Sequence, residues 1–165
     1  CTAGTIVHIN SHLNAVRTGI AVYGLHPSDN TKNKIKLKPV LSWFTRVIQI
    51  KTIPKGTKIG YGATYTTKKT TKIAIIPVGY FDGYSRGLSN KAFVCVKGCK
   101  CQILGRICMN MSILDVSSVQ NLKINEKVEL IGKTITADDL AFWDDTINYE
   151  IVSRINPGIK RVVKK

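Results

Sequence analysis

Hydrophobic positions along this chain come in short bursts rather than in long helical stripes. Residues 1–28 read as a helical stretch followed by a short apolar strand, Ile20–Leu25, with Gly24, Pro27 and Ser28 at its end. A polar, charged connector over Asp29–Lys38 has the composition of a linker or exposed loop. From Pro39 onward the pattern changes to short β segments with turn residues between them. Val40–Ile50 is rich in β-branched and aromatic residues, and Pro54–Lys55–Gly56 closes it with a turn. Thr70–Pro77 predicts another apolar strand. Ala92–Val96 and Cys99–Leu104 flank Lys97–Gly98, a hairpin signal with glycine where a positive φ is needed. Ile113–Val116 and Lys127–Ile131 supply two more strands, the latter ending at Gly132. One short helix is predicted over Thr136–Trp143: Thr136 suits an N-cap, and Asp138 and Asp139 complement the positive end of the helix dipole. Short strands with turns every 8–12 residues argue for a mainly β fold, a barrel or sandwich, from about residue 38 to the end.

Composition narrows the class. The 165 residues leave room for one full domain and a piece of another, and 44% apolar content supports a packed core. Disorder requires low hydrophobicity together with high net charge, and only the second is present. No apolar run approaches the roughly 18 residues that span a bilayer; Ile73–Val78 is strand-sized and interrupted by Pro77. The chain starts at Cys1 with no signal-peptide pattern, and it reads as a piece of a longer protein.

Charge and cysteine change the picture less than they first suggest. Lys+Arg 25 against Asp+Glu 10 gives a formal net charge of +15, which invites a nucleic-acid reading. The positives are mostly scattered lysines, without an Arg-rich helix, a stacking aromatic strand or a zinc-finger spacing, so a solvated basic surface accounts for them. The five cysteines, Cys1, Cys95, Cys99, Cys101 and Cys108, contain no C-x-x-C pair. Reduced thiols serving as small core residues are expected, and no metal site.

Several segments are denser in Tyr, Gly and Arg than a structural β domain requires. They are Arg17–Ile20, Ile59–Tyr65, Val78–Tyr84, Gly105–Met111 and Thr146–Glu150. Taken singly, each has an ordinary reading: Gly60 and Gly62 around Tyr61 as a bulge that re-aims a side chain, Tyr80 and Tyr84 as amphipathic strand residues. Taken together, the phrases R-T-G-I-A-V-Y-G-L, I-G-Y-G-A-T-Y, P-V-G-Y-F-D-G-Y, G-R-I-C-M-N-M and T-I-N-Y-E resemble alanine racemase, from Arg17 to the Ile155–Val162 tail.

That resemblance implies an N-terminal (β/α)8 barrel carrying pyridoxal phosphate, a C-terminal β domain, and a head-to-tail homodimer. Residues 1–37 would then be the last barrel segment, incomplete here, and residues 38–165 the β-barrel-like C-terminal domain. Tyr61 matches the catalytic tyrosine, an acid/base on one face of the substrate α-carbon. A phenol with an ordinary pKa near ~10 needs activation for that task, which nearby arginines would supply by stabilising phenolate. Arg17 matches the arginine that donates to the cofactor's pyridine nitrogen; an always-protonated guanidinium there keeps that nitrogen unprotonated. Thr2, Gly19, Ile20 and Tyr149 match positions that hold the cofactor phosphate. Tyr80 and Met109 match residues at the substrate carboxylate, with the Met109 N–H as donor. Arg86, Arg106, Ile147 and Asn110 fall in the substrate entrance channel.

The chain also departs from the family pattern. Cys108–Met109–Asn110 stands where the family usually reads C-M-D, so a negative charge is lost, and Cys1 stands where Asn is usual. The Schiff-base lysine belongs to an early barrel segment of the K-A-x-A-Y-G-H-G type, which this chain does not contain. The expectation is therefore half of a Tyr/Lys two-base pair, inactive by itself. The intact enzyme would be cytoplasmic, without nucleic acid or membrane as partner, and would supply D-alanine from L-alanine for peptidoglycan. Alternatives stay open: a racemase of the same family for serine or another small amino acid, a racemase that is a domain of a larger, membrane-anchored protein, and a basic β module that binds nucleic acid.

Overall fold

The computed structural model describes residues 1–163 and divides the chain into two units, Cys1–Leu41 and Ser42–Lys165. In the first, α1 (Thr2–Val7) leads through a single 3-10 turn at Ile9–Ser11 to a second at Ile20–Tyr23, and α2 (Asp29–Lys32) is one helical turn. The strand expected over Ile20–Leu25 is thus a 3-10 turn. Its backbone donors are satisfied locally, Val22 N–H on the Gly19 carbonyl at 3.0 Å and Gly24 N–H on the Ala21 carbonyl at 2.9 Å. Of its apolar residues only Ile20 and Leu25 are buried, while Val22 and Tyr23 face outward. The connector after Pro27 is ordered where α2 forms. Thr31 is buried with its hydroxyl on the Ser28 carbonyl (2.8 Å), and Lys32 pairs with Asp29 at 2.7 Å.

The second unit holds β1 (Trp43–Arg46), β2 (Gln49–Ile53), β3 (Lys58–Ile59), β4 (Tyr65–Thr66), β5 (Thr71–Ile76), β6 (Phe93–Val96), β7 (Cys99–Gln102), β8 (Ser112–Asp115) and β9 (Lys127–Ile131). Two helices follow, α3 (Ala137–Asp144) and α4 (Asn148–Ser153). Strands form a four-stranded sheet in the order β1-β9-β6-β7, a three-stranded sheet β2-β5-β8 and the ribbon β3-β4, all antiparallel. The two larger sheets join at both ends. At one, an Ile103↔Leu114 bridge carries the edge beyond β7 onto β8. At the other, the chain changes sheets between adjacent residues: Val47 N–H bonds the Glu126 carbonyl and Ile48 N–H the Ile75 carbonyl, each at 2.9 Å. The result is the barrel-like closure expected for a β domain of this pattern, with few open edges.

Inside sit Val47, Ala74, Ile76, Val94, Val96, Ile103, Leu114, Val116, Val128 and Leu130, all with 0% exposure. Burial of Val/Ile/Leu side chains at roughly 1.5–3 kcal/mol each drives this assembly. The β6–β7 hairpin turns at Lys97 (φ 50) and Gly98 (φ 79), the double positive φ that a two-residue turn needs and that the Gly position signals. Thr136 caps α3 as expected, accepting from Asp139 N–H at 3.0 Å, while the Asp139 carboxylate takes the Thr136 N–H at 2.7 Å. Helix α4 was not expected; its six residues are too few for a readable period. The five cysteines carry no disulfide; Cys95 and Cys101 are buried as small core residues, Cys99 and Cys108 are partly covered, and Cys1 is exposed.

Candidate active site

Tyr61 stands at the tip of the β3–β4 ribbon, in a 3-10 turn over Tyr61–Ala63, with 73% of its surface exposed. The bulge read from Gly60 and Gly62 is this turn instead. A bulge inserts one residue into a running ladder, and here each strand ends after two residues. What Gly60 provides is a positive φ of 74° and room, since a Cβ there would stand 2.8 Å from the Arg106 nitrogen and 3.3 Å from the Gly105 Cα. Gly105 returns the fit: its own Cβ would meet the Ile59 carbonyl oxygen at 2.7 Å. The tyrosine turn and the loop before Met109 are therefore packed backbone on backbone. Beneath the turn Ile59 is buried with Ile73 and Leu104, which anchors its base in the core.

Tyr80 and Met109 are brought together by a second close approach. The strand expected over Thr70–Pro77 forms as β5 and ends at Ile76; beyond it Tyr80 opens a 3-10 turn held by Asp82, whose carboxylate accepts the Gly79 N–H at 2.9 Å. Tyr80 N–H bonds the Cys108 carbonyl at 3.1 Å and Phe81 N–H the Met109 carbonyl at 2.9 Å. A Cβ on Gly79 would collide with those same two carbonyls. Both side chains stay in the open, Tyr80 45% and Met109 56% exposed. Tyr84, by contrast, is wholly buried against Trp43, edge to face with ring centroids 6.0 Å apart. Burial, and then the Asp144 carboxylate, push its phenol above the ordinary tyrosine range, so it belongs to the core and not to the site.

Arg86 begins the 3-10 turn Arg86–Leu88 and is exposed. Ser85 caps that turn, accepting Gly87 N–H at 3.1 Å and donating to Asp144 at the end of α3 (3.0 Å). Ser89, at the turn's other end, accepts the Ile107 N–H at 3.0 Å, which ties the Arg86 turn to the loop bearing Arg106, Met109 and Asn110. Arg106 and Asn110 are exposed on that loop. Ile147 is the N-cap residue of α4, 61% exposed, and Tyr149 lies in the helix's first turn, 37% exposed. Past the helix, Asn156 bonds the Asp82 and Phe81 carbonyls, each at 3.0 Å, so the segment after α4 closes on the Tyr80 turn.

In the first unit, Thr2 is buried and its hydroxyl accepts Gly19 N–H at 2.9 Å and Ala21 N–H at 3.4 Å, with the Thr18 hydroxyl 3.3 Å away. Ile20 is buried beside them, and Arg17 and Gly19 are exposed. The Gly19 and Ala21 N–H groups are thus gathered on the Thr2 hydroxyl at the start of a 3-10 turn, with Gly19 carrying no side chain over it. Thr2, Gly19 and Ile20 are gathered in this unit, and Tyr61, Tyr80, Arg86, Arg106, Met109, Asn110, Ile147 and Tyr149 belong to the other. Thr64, Ser89 and Asn90, which bond these segments to one another, carry no sequence signal beyond their polarity. Among the described residues no group of three His, Cys, Asp or Glu is placed to hold a metal, and no helix is long and apolar enough to cross a membrane.

Residues 40–163 match the family model described as alanine racemase, C-terminal domain. The alanine racemase of Halothermothrix orenii is 47% identical over 156 residues, covering 92% of this chain and 41% of that protein. That of Leptospira interrogans is 44% identical over 174 residues, covering 98% and 45%. Among solved structures, the Clostridium difficile alanine racemase in complex with cycloserine superposes with a TM-score of 0.89 at 34% identity, over 94% of this chain and 42% of that one. The biosynthetic enzyme of Pseudomonas aeruginosa gives a TM-score of 0.90 at 28% identity, over 99% and 46%. The chain thus spans about two fifths of the length of these relatives, and by sequence and fold alike it belongs to the alanine racemase family, of whose C-terminal domain it is a member.

Proposed function

We propose that this chain is the C-terminal part of a pyridoxal-phosphate-dependent racemase that interconverts L- and D-alanine, with Tyr61 as one of two bases. The observation that carries the reading is the Tyr61 turn. Its exposed phenol is held, through Gly60 and Gly105, on the loop that presents Arg106, Met109 and Asn110. Such a fixed, solvent-facing phenol suits proton transfer, because the efficiency of acid/base catalysis depends on holding the base at a set place.

By the family resemblance, Thr2, Gly19, Ile20 and Tyr149 would hold the cofactor phosphate, and Arg17 would donate to the pyridine nitrogen. When bound, the cofactor draws electron density from the substrate α-carbon and makes its hydrogen removable. Tyr61 then takes or returns the proton at that carbon on one face, while the lysine that serves the other face lies outside this chain. Tyr80 and the Met109 N–H orient the substrate carboxylate. Arg86, Arg106, Ile147 and Asn110 line the entrance, Asn110 with one negative charge fewer than the usual aspartate.

On this reading the working enzyme is a cytoplasmic homodimer in which Tyr61, Tyr80 and Met109 serve the partner's cofactor. Its product feeds peptidoglycan synthesis, and this chain alone is inactive. The test uses the full-length protein that carries the chain. We expect alanine racemisation, with Tyr61→Phe lowering kcat by ~100-fold or more in the direction where tyrosine abstracts the proton. An unchanged kcat overturns the role of Tyr61; conversion of serine but not alanine shifts the substrate assignment toward Asn110.

A further inference from the structure

Asn90 sits where the two halves of the candidate site meet, and its carboxamide bonds to both. Its Oδ1 accepts the Gly105 N–H at 2.6 Å, and its Nδ2 donates to the Thr64 hydroxyl at 3.2 Å. Gly105 immediately precedes Arg106, and Thr64 is the residue that ends the Tyr61 turn. Asn90 itself is pinned in place. Its carbonyl accepts Gln102 Nε2 at 3.0 Å from β7, and its backbone holds a positive φ of 62°, which Asn tolerates better than most residues. The neighbouring Ser89 adds its bond to Ile107 N–H. One side chain thus bonds both the phenol-bearing turn and the loop that carries Arg106 and Met109, beside the backbone contact at Gly60 and Gly105.

From this bridge we infer that Asn90 is a positioning residue for Tyr61: through Gly105 and Thr64 it fixes where the phenol stands relative to the substrate-facing loop. The inference rests on the racemase reading above, since it gives Asn90 a task only if Tyr61 moves a proton. Misplacing a reacting group by about 1 Å costs on the order of 100-fold in rate, so a bond that fixes a turn is felt in kcat before it is felt in binding.

The experiment uses the full-length protein and three variants: Asn90→Gly, which keeps the positive φ and removes the carboxamide, and the pair Thr64→Val and Thr64→Ser. Two readouts are taken, kcat and KM for alanine, and amide hydrogen exchange over residues 60–64 and 105–107. We expect Asn90→Gly to lower kcat by ~10- to 100-fold with KM little changed, and to speed exchange in both segments. Thr64→Val, which keeps shape and loses the acceptor, should lower kcat, while Thr64→Ser, which keeps the hydroxyl, should restore it. A packing role predicts the reverse order for the Thr64 pair, and that order overturns the inference. So does faster exchange with kcat intact, or exchange unchanged in every variant. Should Asn90→Gly fail to fold, the exposed Thr64 pair still decides. Wild-type protein without racemase activity overturns the racemase reading and this inference with it; an active wild type indifferent to Thr64→Val overturns the inference alone.

Discussion

The guanidinium of Arg106 lies directly over Gly62: a Cβ on that glycine would stand 2.7 Å from Arg106 Nη1. Gly60, two residues earlier, faces the backbone of the same residue at 2.8 Å. The two glycines therefore differ in what they would displace. Alanine at Gly62 pushes aside the free end of a flexible side chain, whereas alanine at Gly60 must move main chain. Both positions have positive φ, so both carry conformational strain of about 1 kcal/mol or more. We expect Gly60→Ala to destabilise the protein by ~2–4 kcal/mol and Gly62→Ala by ~1–2 kcal/mol, read from urea midpoints. Equal effects would mean that the close approach to Arg106 is not what selects glycine at residue 60.

Gly79 makes a different point, because its φ of −154° is open to any residue. Only space is at stake, as a Cβ there runs into the Cys108 and Met109 carbonyls. Gly79→Ala should cost ~1–3 kcal/mol and separate the Tyr80 turn from the Met109 loop. Limited proteolysis within residues 105–111, faster in the variant than in wild type, is the measurement; equal rates count against the contact.

Tyr84 offers a substitution that should do no harm. Its hydroxyl is fully buried and finds no hydrogen-bond partner among the described residues, while its ring packs on Trp43. An unmade bond in the interior costs roughly 1–3 kcal/mol. Tyr84→Phe keeps the ring and removes that penalty, so the melting temperature should hold or rise. A fall of several degrees would show that the hydroxyl has a partner after all.

Alkaline pH should weaken the fold through Cys101. Burial first, with the nearby Cys99, Asp115 and Cys95 adding to it, pushes its thiol up to about 12 from an ordinary 9.0. The folded protein thus keeps a proton that the unfolded chain releases, so the stabilising difference is full below about pH 9 and is lost as pH rises toward 12. Urea midpoints measured across that interval should fall, and fall less steeply in Cys101→Ala, which has no thiol to ionise there. Identical slopes would remove Cys101 from the account.

Much of the fold was legible because it is local. Lys127–Ile131, the Lys97–Gly98 turn and the Thr136 cap each depend on residues within a few positions of one another, and each forms where the pattern places it. Failures came where local bonding outweighed apolar pattern. Ile20–Leu25 has the composition of a strand, yet its N–H groups close on carbonyls three to five residues back. Tyr84 looked like Tyr80 in sequence and is its opposite in the structure, one sealed in the core and the other exposed, because the turn at Gly79–Gly83 reverses the chain between them.

By itself the sequence determined the family and the mainly β class, and it singled out the tyrosines, arginines and glycines proposed here to carry chemistry, since those rest on residue identity and short spacing. Only the tertiary structure decided how they meet. Gly60 against Gly105, Tyr80 on Cys108, Ser89 on Ile107 and Asn90 between Thr64 and Gly105 are contacts across 15 to 45 residues, made by plain backbone groups and small polar side chains. Such groups look alike everywhere along a chain. What selects one pairing over another is the closure of the two sheets around a common core, a property of the whole β domain that no short window contains.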